Sequence, residues 1–263
     1  MVSLRLADTP DDHRCGGTLI RPDIVLTAAH CVVGVPAGGL VAVAGSDIPD
    51  WPSAPRIPTL GHRFPRTFNG PSGNRDDIAV VRLAEPQVTS GIRSAAGEPH
   101  AGARVVVAGW GCTNAPPVCR VKPANLQASS QIVLRDASCG TNVFWKPPYH
   151  NRTSICTNGV RPRSTVNRGD SGGPLLVRDP RGGFRVVGVT SLASDSKTKL
   201  YAAFTSIPVE RKWIDGAIRS LAGRVVKRRR PESNWCARLC RPLPNHSATA
   251  PRPLAFASGL SEV

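Results

Sequence analysis

The chain has 263 residues, a formal net charge of +16, eight cysteines, 25 glycines and 25 prolines. At 40% hydrophobic content it can bury one large core or two modest ones, and with no run of about 18 apolar residues it holds no membrane-crossing helix. An even number of cysteines at spacings that suit pairing points to an oxidising compartment, although no signal peptide precedes them.

Many prolines and glycines with little helical periodicity favour short strands and frequent turns. Val2, Leu4 and Leu6 alternate and predict a strand from the first residues, so the chain begins inside a fold. A turn over Asp8–Asp12 follows, then strands at Cys15–Ile20 and Ile24–Leu26, leading into Thr27-Ala28-Ala29-His30-Cys31. Val41–Gly45 and Ile57–Leu60 read as further strands. Gly61–Arg75 is a polar Pro/Gly-rich loop, and Asp76-Asp77 stands just ahead of the apolar strand Ile78–Leu83. Ala84–Gly102 is rich in Pro, Ser and Gly and reads as a connection. Arg104–Gly111 and Leu126–Leu134 are expected strands. Cys112 and Cys119 are close enough for a local bridge across the turn Asn114–Pro117. Near the end, Val209, Trp213, Ile214, Ala217 and Leu221 fall at helical spacing and predict a helix over Pro208–Leu221.

The chemistry gathers at Arg168-Gly169-Asp170-Ser171-Gly172-Gly173-Pro174. Glycines on both sides of a serine allow positive φ and a close backbone approach to a substrate, which a loop needs if its own amides are to bind a reacting carbonyl. A serine hydroxyl is a poor nucleophile until a base takes its proton, so the motif demands a histidine and an acid elsewhere. His30, set between Ala-Ala and Cys, is the candidate base; His13, His62, His100, His150 and His246 lack such a setting and read as surface or core. The acid is Asp77 or its neighbour Asp76.

In the order His30, Asp77, Ser171, and in the strand ending Gly109-Trp110-Gly111, the chain from Val2 to Leu221 resembles the chymotrypsin-like (trypsin-like) serine endopeptidases. The resemblance implies an all-β fold of two six-stranded antiparallel barrels with a C-terminal helix: one barrel over 1–100, a second with the closing helix over 101–223, and a basic Pro-rich tail, expected to be disordered, over 224–263. It selects Asp77 over Asp76, because the family's acid immediately precedes such a strand. It pairs Cys15 with Cys31 and Cys139 with Cys156, whereas a Cys112–Cys119 bridge departs from the commoner family pattern. Cys236 with Cys240 is a possible further local pair. Zinc is not expected, since no Cys-x₂-Cys or His-x₃₋₅-His spacing accompanies the cysteines. The absence of acids between Trp51 and Asn74 argues against calcium. The resemblance implies no metal and no cofactor.

It also implies an oxyanion hole at the amides of Gly169 and Ser171. A specificity pocket would have Thr165 at its base and walls from Ser191, Leu192, Ala193 and Ala202. Thr165 is neutral, and the methyls of Ala193 and Ala202 stand where glycine is common, so small or medium apolar side chains are expected to fit. Ser191 has a second expected role beside the buried aspartate. Asn167 replaces a usual cysteine, which predicts a looser rim, and Arg168 at the lip is a candidate contact for an acidic substrate residue. Asp170 is the acid that would pair with a freed N-terminal ammonium. No Ile-Val-Gly-Gly-type segment precedes Met1, so Asp170 is expected to turn outward and leave a poor catalyst.

Residues 224–263 hold eight Lys/Arg against two Glu, a solvated run with the potential for weak polyanion contact. The resemblance implies peptide substrates and a secreted protein, and the chain is expected to be monomeric. The rival is a catalytically silent homologue that acts as a binding module.

Overall fold

The computed structural model describes residues 1–47, 54–70, 75–113, 119, 121–140, 149–161, 165–194 and 201–228. The turn at 114–117, the cysteines at 236 and 240 and the segment 229–263 lie outside the described residues.

The first half forms strands β1 (Val2–Leu6), β2 (Cys15–Arg21), β3 (Ile24–Thr27), β4 (Leu40–Ala44), β5 (Ile57–Arg63) and β6 (Ala79–Leu83), with a one-turn helix α1 (Ala29–Val32) after β3. They close into an antiparallel barrel in the order β1-β2-β3-β6-β5-β4, with β1 pairing both β2 and β4. The local patterns explain the faces. β5 alternates, with Ile57 and Thr59 buried and Pro58 and Leu60 exposed, as expected of a strand with one wet side. β3 is buried at all four positions and pairs β6 with Val25 opposite Val81.

The second half forms β7 (Arg104–Gly109), β8 (Gln127–Val133), β9 (Ser154–Gly159), β10 (Pro174–Arg178), β11 (Phe184–Ala193) and β12 (Tyr201–Ser206), with a short helix α2 (Asp136–Gly140) between β8 and β9. This barrel closes in the order β10-β11-β12-β9-β8-β7. Val105, Val107, Leu175, Val187 and Phe204 fill its core. Disulfides join Cys15 to Cys31, Cys112 to Cys119 and Cys139 to Cys156, with Cα separations of 6.2, 5.4 and 6.5 Å.

The closing helix α3 spans Ile207–Arg228, running past the expected end at Leu221 and into the segment read as tail. One member of the expected apolar face lies outside it. Val209 is exposed, whereas Ile207, Ile214, Ala217, Ile218 and Leu221 are buried in one cluster with β1–β6 residues and with Val186 and Val189 of β11. Arg82 of β6 donates from Nη1 to the carbonyl of Leu221 at 3.1 Å, pinning the helix there. Helical spacing identifies an apolar face but not the surface that receives it. No helix among the described residues is long and apolar enough to cross a membrane.

Candidate active site

β3 ends in Thr27, and α1 carries His30 immediately beyond it. So short a helix has no stability of its own, and Ala28 offers it no side-chain cap. Two tertiary ties hold it instead. The Cys15–Cys31 bridge anchors the turn to β2, and Asp77 accepts the amide of His30 on Oδ1 at 2.9 Å.

Asp77 is fully buried at the entrance to β6. Its Oδ2 accepts from Nδ1 of His30 at 2.7 Å and from the hydroxyl of Ser191 at 2.6 Å, while Thr205 Oγ1 donates to its backbone carbonyl at 2.8 Å. The three donors on its two oxygens satisfy the buried carboxyl. With Nδ1 donating to Asp77, Nε2 of a neutral His30 is left as the acceptor. Asp76 turns elsewhere: its φ is 53°, its carbonyl accepts from Ile78 N at 2.8 Å, and its carboxyl meets Arg75 and Glu210. The structure thus puts Asp77, not Asp76, against His30.

The Ser171 loop is wound tightly. Asp170 N donates to Asn167 O and Gly173 N to Asp170 O, and Gly169 has φ +99°. The loop is then stitched to both barrels. Gly172 N and Thr190 N exchange hydrogen bonds with Thr190 O and Gly173 O, and Gly16 N donates to Ser171 O at 2.8 Å. A side chain at Gly172 would collide with Thr27 Oγ1 and Gly16 O, so glycine is required there by close approach as well as by φ +77°. This contact seats the loop beside Thr27 and Ala28, the residues that lead into His30. Among the described residues, the amides of Gly169 and Ser171 have no protein acceptor.

Asp170 does not turn outward. Its Oδ1 accepts from Gly111 N and its Oδ2 from Asn167 N, both at 2.8 Å. Burial pushes its carboxyl above the usual range, and the two amides oppose that shift. The expected outward swing rests on the penalty of a buried unpaired carboxylate, which backbone donors reduce. Any side chain at Gly109 or Gly111 would strike this carboxylate, so the two glycines make room for it. Arg168 is exposed, with its amide donating to Asn167 Oδ1 and its carbonyl accepting from Cys112 N.

Two other features are invisible in the sequence. His13, expected only at the surface or in the core, bonds the carbonyl of Gly169 through Nε2 at 2.9 Å and Ser3 Oγ through Nδ1 at 2.7 Å. Arg5, fully buried, donates from Nε to the same Ser3 oxygen. Because a carbonyl only accepts, Nε2 of His13 carries the proton, and in a neutral ring Nδ1 then accepts from Ser3. Asn167, in place of the usual cysteine, ties its segment to the Cys112 loop by donating from Nδ2 to Cys112 O at 3.0 Å. The rim has a polar tether instead of a bridge.

At the expected pocket, Ala193 of β11 pairs Ala202 of β12 and Leu192 pairs Ala203, so both extra methyls belong to adjacent strands. Thr165 is half-buried, and its hydroxyl has no partner among the described residues. The sulfurs of Cys15 and Cys31 lie near His30 in an arrangement of metal-ligand type, but both are consumed in a disulfide.

The family model described as Trypsin matches residues 1–214. The chain belongs to the trypsin family of serine proteases. This trypsin-family protein is 29% identical over 214 residues to trypsin of Sarcophaga bullata, with 80% of each chain covered. It is 31% identical over 236 residues to chymotrypsin-C of Rattus norvegicus, covering 82% of this chain and 83% of that one. Among solved structures, neuropsin, a serine protease of mouse brain, superposes with a TM-score of 0.69 over 82% of this chain and 93% of its own at 21% identity, a likeness of fold. The protein is a serine endopeptidase by family, and proteins of this family act on protein substrates.

Proposed function

We propose that this trypsin-family protein is an active, secreted endopeptidase that cleaves peptide bonds through Ser171, His30 and Asp77 by way of an acyl-enzyme. The observation that carries the reading is the bond from His30 Nδ1 to the buried Asp77, itself held by Ser191, because it fixes the imidazole tautomer that general-base chemistry requires. His30 Nε2 takes the proton of Ser171 as Oγ attacks the scissile carbonyl. The amides of Gly169 and Ser171 receive the oxyanion, His30 protonates the leaving amine, and water repeats the sequence to release the acid and restore Ser171. Asp77 stays ionised and stabilises the imidazolium. The three disulfides support an oxidising, extracellular setting.

The neutral Thr165 and the facing methyls of Ala193 and Ala202 support a preference for small or medium apolar residues such as Ala, Val or Leu on the acyl side. A fluorophosphonate probe tests the chemistry. Labelling of the wild type that vanishes in Ser171→Ala is expected, and an unlabelled, folded wild type would mark a silent homologue. A peptide library tests the pocket, and cleavage chiefly after Arg or Lys would overturn the preference.

A further inference from the structure

On the folded body, four arginines converge on one pocket at the seam of the first barrel, the connection between the barrels and α3. Arg21 comes from the end of β2, Arg93 from the connection, Arg185 from the start of β11 and Arg211 from α3, around a cavity of about 270 Å³. The walls are fixed in place. Ile92 N donates to Leu19 O at 2.8 Å, Val186 N to Arg93 O at 3.0 Å and Ala95 N to Val186 O at 2.8 Å. Arg211 Nη2 donates to the carbonyl of Ala95 at 2.7 Å, a neutral partner that orients the guanidinium without cancelling its charge. Buried Ile214 and Ile218 contribute apolar lining.

The charges do not balance. Arg185 is paired with Asp179 at 2.7 Å, and Asp215 is the acid in the lining. Arg21, Arg93 and Arg211 make no ion pair among the described residues. Two acids against four arginines leave an excess of two positive charges, with Arg21, Arg93 and Arg211 exposed to solvent and Arg185 partly buried. We propose that this pocket is an anion site that takes phosphate groups of a soluble polyanion, separate from the Ser171 cleft. A terminal phosphate group brings a charge close to −2 and three acceptor oxygens, and the planar guanidinium fork matches it bidentately. The cavity, about 270 Å³ and open to solvent, is large enough for a phosphate group. Its concave form does not suit a flat lipid surface.

The test is calorimetric titration of the full chain with inorganic tripolyphosphate at fixed ionic strength. Arg21→Gln/Arg93→Gln is expected to weaken binding at least tenfold and leave probe labelling of Ser171 unchanged. Arg152→Gln/Arg161→Gln, which removes two exposed charges outside the pocket, is expected to change it less than threefold. Failure of the wild type to bind would overturn the proposal. So would a pocket variant that binds like wild type, which would place the binding on the basic tail, or equal weakening by both pairs, which would reduce it to net charge. Vesicles containing phosphatidylserine are expected not to compete; displacement of tripolyphosphate by them would overturn the soluble assignment.

Discussion

Nε2 of His13 donates to the carbonyl of Gly169 at 2.9 Å across 156 residues of chain. The bond runs from β2's approach in the first barrel to the nucleophile loop of the second. A peptide group is planar, so fixing the Gly169 carbonyl fixes the adjoining amide of Asp170 and constrains how Gly169 presents its own N–H. The relay Arg5 Nε to Ser3 Oγ to His13 Nδ1 holds the ring's tautomer from behind.

His13→Leu is therefore expected to lower kcat roughly 10²-fold, the scale of one misplaced oxyanion donor, with KM changed far less. Ser3→Ala should lose less, because the ring keeps its partner on Gly169. Steady-state kinetics on one peptide checks both. Loss confined to KM would show that His13 shapes the substrate cleft instead of the oxyanion site.

The second prediction concerns Asp77. Asp77→Asn replaces an acceptor by a group that donates, inviting the wrong His30 tautomer, and a loss of about 10⁴ in kcat is expected on the precedent of serine-protease triads. Ser191→Ala removes one of the two donors on Oδ2 and should reduce kcat by about tenfold, with cleavage preference retained. A Ser191→Ala enzyme with full activity would leave that hydroxyl a structural part only.

These residues also show where the sequence is readable. His30, Asp77 and Ser171 each stand in a short local pattern, and the alternation of Val2, Leu4 and Leu6 discloses a strand, whereas the closure of strands into barrels comes from the family resemblance. What stays hidden depends on partners with no local mark. His13 is read only once Gly169 is known to lie beside it. The inward turn of Asp170 escapes the sequence because its solvation comes from the amides of Gly111 and Asn167, and backbone donors are the same in every sequence. The end of α3 escapes it because Arg224–Arg228 suits a solvated helix end as well as a tail. The bond that ties the helix at Leu221 comes from Arg82, far away in the chain.

A third prediction follows from that solvation. Asp170→Asn turns an acceptor toward two N–H donors with only one carbonyl oxygen to offer, leaving a buried donor unsatisfied at a cost of about 1–3 kcal/mol. Gly111→Ala drives a methyl into the Asp170 carboxylate. Both should lower the unfolding midpoint and reduce fluorophosphonate labelling of Ser171. Normal labelling in Gly111→Ala would mean that the carboxylate is free to move without disturbing the nucleophile.

The fourth prediction is a pH dependence of stability set behind the triad. Glu210 lies in the first turn of α3 and is largely buried, as is Asp76, the neighbour of Asp77. Their carboxyls share a hydrogen bond, and Arg75 Nε lies 3.6 Å from Asp76 Oδ2. Burial first, then the charge and hydrogen bond of Asp76, push Glu210 up from 4.5 to about 7, against a smaller opposite pull from Arg75. A carboxyl pair this close holds one proton more easily than none. The folded state therefore binds a proton that the unfolded chain releases near 4.5, so this contribution is fully present below that pH and is lost as pH rises through about 7. A tenfold difference in proton affinity is worth about 1.4 kcal/mol. With solvent screening part of the interaction, about 1–3 kcal/mol should disappear between about pH 4.5 and pH 8. Glu210→Gln keeps a donor for Asp76 without a charge to develop, so it should match the wild type near pH 5 and exceed it at pH 8. Urea unfolding of both proteins at the two values isolates the difference from other titrating groups. A variant no more stable than wild type at pH 8 would show that Glu210 ionises there without penalty.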